Sequence, residues 1–126
     1  MTQWSPASFF FVRVCFIQAE MPESNRGKQT MTIAQIMEKM IAFSEGNIHD
    51  ITHLSCVWTY AKTIGELEGV DAETQFILEV AAITHDIACP LCRKKYGNTN
   101  GSYQEQEGDP LVRDFVTETG LSCQTA

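Results

Sequence analysis

Three histidines, His49, His53 and His85, are the side chains of this chain best suited to hold a metal ion. His49 and His85 are each followed by an aspartate, Asp50 and Asp86. Asp50 lies in the polar approach to a predicted helix, where it can serve as the N-cap, whereas Asp86 follows a strongly apolar helical run. A carboxylate in apolar surroundings is costly unless it is paired or bound to a metal. The second His-Asp pair therefore predicts a metal site.

His53 and His85 lie at equal sequence distances from a predicted turn, which places them at the same height along two antiparallel helices. The turn is centred at Gly69, and Asp71 predicts the N-cap of the helix that follows. His53 lies 16 residues before Gly69 and His85 lies 16 residues after it. In an antiparallel hairpin each offset corresponds to ~24 Å along the helix axis, so the two imidazoles reach the same open end. We therefore predict that His53, His85 and Asp86 bind one divalent metal ion.

Two imidazoles and one carboxylate, with positions left open for water, suit a catalytic transition metal. The sequence leaves the identity of the ion open among manganese, iron, zinc, cobalt and magnesium. His49 and His53 are four residues apart and can share a helix face, as in some zinc-binding helices. Because Asp50 as N-cap leaves His49 outside the helix, we do not predict His49 as a direct ligand.

Helical periodicity runs almost without interruption from Met31 onward, and no strand-like alternation follows residue 30. We therefore predict an all-α fold with four helices. The first begins near Ile33, the next two follow the caps Asp50 and Asp71, and the last lies within 103–119. Pro90 predicts that the third helix ends near Ala88, with a loop from Cys92 to Ser102. The buried stripe predicted for the second helix is Ile51, Leu54, Val57, Trp58, Ala61, Ile64 and Leu67.

Composition excludes several classes of protein. The chain is 44% apolar and 20% charged, which is typical of a globular domain, and its net charge of −7 argues against binding to a nucleic-acid backbone. The apolar run from Ser8 to Ile17 is shorter than the ~20 residues of a spanning helix, so we expect no membrane span there. Five cysteines, an odd number, predict reduced thiols and a cytoplasmic protein.

Patterning divides the chain into three segments. Residues 1–30 have no regular period and predict an irregular N-terminal extension, or a stretch upstream of a true start at Met31. Residues 31–122 form the predicted domain, and residues 123–126 form a short tail.

The run from His53 to Val57 is followed by the pair His85-Asp86, which begins 32 residues after His53. This pattern resembles the signature of HD-domain metal-dependent phosphohydrolases. The segment 83–88 is similar to the central motif of that family, and the resemblance covers about residues 31–121. It implies an HD-domain-like helical bundle and a metal held by His53, His85 and Asp86. It also implies that Asp86 is catalytic and that the substrate is a small phosphate ester, such as a nucleotide.

The chain departs from the family after this motif. The family uses a further aspartate on a later helix, but Asp109 and Asp114 come earlier than that pattern expects. We therefore expect a C-terminally incomplete copy, truncated after its fourth helix, whose uncovered helix faces favour a homo-oligomer. The alternative is a catalytically weak or inactive helical module, either a truncated relic or a protein-interaction domain.

A cationic run, Arg93-Lys94-Lys95, follows the metal motif closely. Three of the six Lys and Arg residues from Met31 onward lie here, and they predict binding of the substrate phosphate. The alternative is an ordinary solvated loop.

The cysteines predict no metal or redox site, because Cys89 and Cys92 form a single CxxC without a second pair. Cys56 is interpreted as a core residue.

Overall fold

Five α-helices make up residues 31–120, which is the part of the chain that the computed structural model describes. No strand occurs in this range, so the all-α prediction is confirmed. The predictions for residues 1–30 and for the tail at 123–126 lie outside the described residues. The helices are α1 (Ile33–Phe43), α2 (Ile48–Glu68), α3 (Ala72–Thr84), α4 (Cys89–Tyr96) and α5 (Gly101–Glu118).

The turn between α2 and α3 forms at the predicted residues. Gly69 ends α2 in the left-handed region, with φ 65°, where glycine has no steric penalty. Asp71 begins α3, and its carboxylate accepts a hydrogen bond of 2.9 Å from the Thr74 amide. The resulting hairpin packs against α1 and α5. The core cluster consists of Ile36, Met40, Leu54, Val80, Ile83, Ile87, Val112, Phe115 and Val116.

A buried carboxylate fixes the two arms of the hairpin against each other. Glu79 on α3 is 5% exposed and accepts a hydrogen bond of 2.8 Å from the Trp58 indole nitrogen on α2. The side-chain amide of Gln75 donates a second hydrogen bond of 2.8 Å to the Glu79 carboxylate. The Lys62 ammonium lies 3.8 Å from the same carboxylate. A buried charge with these partners is compensated, and it holds the register of α2 on α3.

Two helix ends differ from the prediction. The N-cap of α2 is Asn47, whose side chain accepts a hydrogen bond of 3.1 Å from the Asp50 amide, so the helix begins before His49. The third helix ends at Thr84, and the chain turns through 85–88 before α4 begins. Pro90 lies in the first turn of α4, where its missing N–H costs nothing, so it begins a helix rather than only ending one. The predicted loop beginning at Cys92 is therefore wrong, because the chain stays helical to Tyr96.

The buried face of α2 also differs from the predicted stripe. Ile64 and Leu67 are 56% and 81% exposed, whereas Ala61 and Gly65 are buried. A Cβ on Gly65 would lie 2.0 Å from the side-chain oxygen Oε1 of Gln75, so the Gln75 side chain on α3 fills the space beside Gly65. The contact with α3 is thus made through small residues of α2, and the larger Ile64 and Leu67 lie outside it. Cys56, interpreted from the sequence as a core residue, is exposed as well.

The segment Ala72–Tyr96 is long and apolar enough to cross a membrane by length and composition alone. It is 61% buried within the described fold, and the turn at 85–88 divides it into α3 and α4. Core helices share these properties, so the segment is weak evidence for a membrane span.

Candidate metal centre

The predicted ligands come from two parts of the hairpin and meet at its open end. His53 lies in the second turn of α2, His85 is the C-cap of α3, and Asp86 follows in the turn. The Nε2 atoms of His53 and His85 are 3.0 Å apart. Asp86 Oδ2 lies 3.3 Å from His53 Nε2 and 3.2 Å from His85 Nε2. Two nitrogens and one oxygen thus form a nearly equilateral triangle.

The size of this triangle fits a bound cation. Ligand atoms bonded at ~2.1 Å to one ion are ~3.0 Å apart in octahedral geometry and ~3.4 Å apart in tetrahedral geometry. The three observed separations, 3.0, 3.2 and 3.3 Å, fall within that interval. Within the described residues, this is the group of histidine, cysteine and acidic side chains whose ligand atoms converge closely enough to hold a metal.

A backbone contact orients the His85 ring for ligation. His85 Nδ1 lies 2.7 Å from the Ala82 carbonyl oxygen, which can only accept a hydrogen bond. Nδ1 therefore carries the proton, and in the neutral ring Nε2 presents its lone pair to the cluster. Metal-binding histidines are commonly fixed through the second ring nitrogen in this way.

His85 and Asp86 shift each other's pKa in opposite directions. Burial lowers the pKa of His85, but the hydrogen bond and charge of Asp86 outweigh burial, so that the pKa is raised. Burial raises the pKa of Asp86, but the hydrogen bond from His85 and the charges of the nearby histidines leave it lowered.

His49 lies beside the cluster but outside it. Because α2 begins at Ile48, His49 occupies the first turn of the helix, one turn before His53. Its ring is stacked on that of His53 with centroids 6.4 Å apart, and its side chain is 90% exposed. The group of converging ligand atoms does not include His49. The sequence analysis missed this placement, although Asn47 with Asp50 three residues later is a recognisable N-cap pattern.

Each predicted phosphate-binding cation faces a carboxylate. Arg93 donates two hydrogen bonds to Asp50, one of them 3.1 Å from Nη1 to Oδ1. The Lys94 ammonium is 2.7 Å from Glu45. Lys95 is 2.5 Å from Glu107, which also accepts a hydrogen bond of 2.5 Å from the Tyr96 hydroxyl. The sequence analysis did not predict these ion pairs, because they depend on tertiary contacts. Phosphate binding by Arg93, Lys94 and Lys95 stays a prediction.

Neither of the later aspartates joins the cluster. Asp109 pairs with Arg113 on the same helix at 2.8 Å, and Asp114 is exposed on α5. The described residues therefore offer three candidate protein ligands, which is the number that open catalytic metal sites typically keep.

Burial disfavours ionisation of the two thiols that follow the cluster in sequence. Cys89 and Cys92 are free and buried. Burial raises the pKa of Cys89 to about 12, and it raises the pKa of Cys92 as well. A thiol with a raised pKa is a poor nucleophile and a poor metal ligand near neutral pH.

The chain matches no family model, no curated protein and no solved structure. Its function is therefore argued from the chemistry of the site itself.

Proposed function

We propose that this protein is a metal-dependent phosphohydrolase whose single divalent ion is held by His53, His85 and Asp86. The observation that carries the proposal is the convergence of three ligand atoms within 3.0–3.3 Å of one another. Two of these residues, His53 and His85, are 32 positions apart in the sequence. The motif they form resembles that of HD-domain phosphohydrolases, and the resemblance supplies the reaction type.

A divalent cation at this site supplies a Lewis acid that makes water more acidic and neutralises charge on a phosphoryl group. His53 and His85 hold the cation through Nε2, and the Ala82 carbonyl keeps the His85 ring in the required tautomer. Asp86 is the catalytic carboxylate. Its two contacts with the histidines both use Oδ2, so Oδ1 is the oxygen that would orient a water molecule and accept its proton.

The resemblance to HD-domain phosphohydrolases implies the substrate class, and the charge of the chain restricts where such a substrate could bind. The whole chain has a net charge of −7, so an anionic phosphate ester requires local cations at the site. Arg93, Lys94 and Lys95 are the nearest such group in sequence, and a phosphate would compete with the present carboxylate partners of the two lysines. We propose that the substrate is a small phosphorylated molecule such as a nucleotide.

Hydrolysis by the purified full chain tests this proposal. Release of phosphate from p-nitrophenyl phosphate and from nucleoside monophosphates should appear with one of manganese, iron, zinc, cobalt or magnesium. The Asp86→Asn variant should lose at least ~100-fold in rate, the scale typical of removing one group that transfers a proton. Asp109→Asn is the matched control, because Asp109 lies on α5 in an exposed ion pair, and it should keep the wild-type rate. Equal rates for the two variants would refute the proposal.

A second candidate is a non-catalytic helical module that binds another protein or a second copy of itself. The exposed apolar side chains on α2, Tyr60 (69%), Ile64 (56%) and Leu67 (81%), favour it. An apolar groove of about 610 Å³ between α1 and α2, lined on α2 by Trp58 and Lys62, is a second apolar surface on another face of that helix. A protein without bound metal or phosphatase activity that self-associates through these residues would fit this second candidate.

A further inference from the structure

The ion pair between Asp50 and Arg93 joins the two segments that supply the metal ligands. Asp50 lies on α2 three residues before His53, so the two side chains occupy neighbouring positions on one helix face. Arg93 lies on α4, the helix that directly follows the turn carrying Asp86. The pair therefore connects α2 with the segment after α3, as the metal ligands do.

The geometry of this pair restricts movement of α4 relative to α2. Arg93 Nη1 donates to Asp50 Oδ1 at 3.1 Å, and Nη2 donates to Oδ2. Two parallel hydrogen bonds between planar groups fix both their distance and their relative rotation. The Asp50 side chain is 13% exposed and the Arg93 side chain 36%, so solvent screens the attraction only in part.

A neighbouring pair shows what an ordinary surface contact looks like here. Lys94, the next residue of α4, makes one hydrogen bond to Glu45 in the segment before α2. Both side chains are largely exposed, at 64% and 61%, and exposed pairs of this kind contribute little.

We propose that Asp50 and Arg93 are positioning residues of the metal site, and that their pairing sets the distance between His53 and the His85-Asp86 turn. They act through the ligands rather than as ligands. Ligand atoms 3.0–3.3 Å apart leave little tolerance, so a small shift of α2 relative to the turn weakens binding. This inference rests on the proposed function, since it requires a metal at the site.

Cobalt(II) titration of the full chain, followed by its visible absorption spectrum, tests the inference. Asp50→Asn and Arg93→Lys should each weaken cobalt binding about 10- to 100-fold, the range for residues that orient metal ligands. Arg93→Lys keeps the charge but loses the paired hydrogen bonds, so a loss in this variant reports on geometry. Circular dichroism of the metal-free proteins verifies the fold. If Asp50→Asn fails to fold, Arg93→Lys carries the test alone.

Glu45→Gln is the matched control, because it breaks the neighbouring exposed pair, and it should change cobalt affinity less than about twofold. Wild-type affinity in folded Asp50→Asn and Arg93→Lys would overturn the positioning role and leave the metal site standing. An equal loss in Glu45→Gln would also overturn it, since the effect would then be a general one of surface charge. Absence of cobalt binding by the wild-type chain would instead refute the proposed function.

Discussion

His53 Nε2 and His85 Nε2 lie 3.0 Å apart, although 32 residues separate them in the sequence. The relationship depends on the α2–α3 hairpin, because its turn at Gly69 is equidistant from both histidines. The buried Glu79 network holds the two helices in register between the turn and the site. The position of the turn thus determines which residues meet at the open end.

Close approach of α2 to α3 predicts that Gly65→Ala destabilises the protein. The added Cβ would lie 2.0 Å from Gln75 Oε1, so the glutamine side chain or the helices must move. We expect the free energy of unfolding to fall by about 1–3 kcal/mol, as for other overpacked cores, even though alanine favours helix. Urea unfolding followed by circular dichroism measures it. Gly101→Ala is the control, because a Cβ there has nothing within 4 Å, and a loss as large in that variant would contradict the explanation.

Cysteine reactivity should follow burial rather than sequence motif. Cys56 is exposed, whereas burial raises the pKa of Cys89 to about 12 and Cys92 is fully buried. A brief treatment of the native protein with iodoacetamide at pH 8 should alkylate Cys56 and spare Cys89 and Cys92, as mapped by peptide mass spectrometry. Denatured protein, in which all three should react, is the control. Rapid alkylation of Cys89 in the native protein would show that the hairpin end opens readily.

Exposed apolar residues on α2 predict self-association. Ile64 and Leu67 are 56% and 81% exposed on a helix that packs through Ala61 and Gly65 instead. We expect the wild-type chain to elute as a dimer or larger species in size-exclusion chromatography with light scattering, and Ile64→Glu with Leu67→Lys to elute as a monomer. Glu73→Lys, an exposed change on α3, should leave the association intact. A monomeric wild-type chain would contradict this prediction.

The parts of the fold that were predictable from sequence depend on local interactions. Gly69 and Asp71 each act within one turn of chain, so the hairpin and the level of its histidines followed from their residue types. Pro90 was ambiguous, because proline both ends a preceding helix and favours the first turn of a new one. Asn47 and Asp50 are three residues apart, and both are good N-cap residues. Only the observed hydrogen bond from the Asp50 amide to the Asn47 side chain decides between them.

Tertiary contacts account for what the sequence did not predict. The burial of Gly65 in place of Ile64 depends on how closely α3 approaches, which periodicity on one helix does not determine. The pairing of Arg93 with Asp50 joins residues 43 positions apart and depends on where α4 lies. The candidate ligands were found because histidine is rare in the chain, whereas their surrounding ion pairs use common residue types.

Metal content of the purified chain tests the central claim most directly. After incubation with a divalent metal and removal of the unbound ion, elemental analysis should find one ion per wild-type chain. His85→Ala should lose it, because two of the three contacts in the ligand triangle involve His85 Nε2. His49→Ala should keep most of it, because the exposed His49 lies outside the cluster. Equal metal content in the wild type and in His85→Ala would contradict the account.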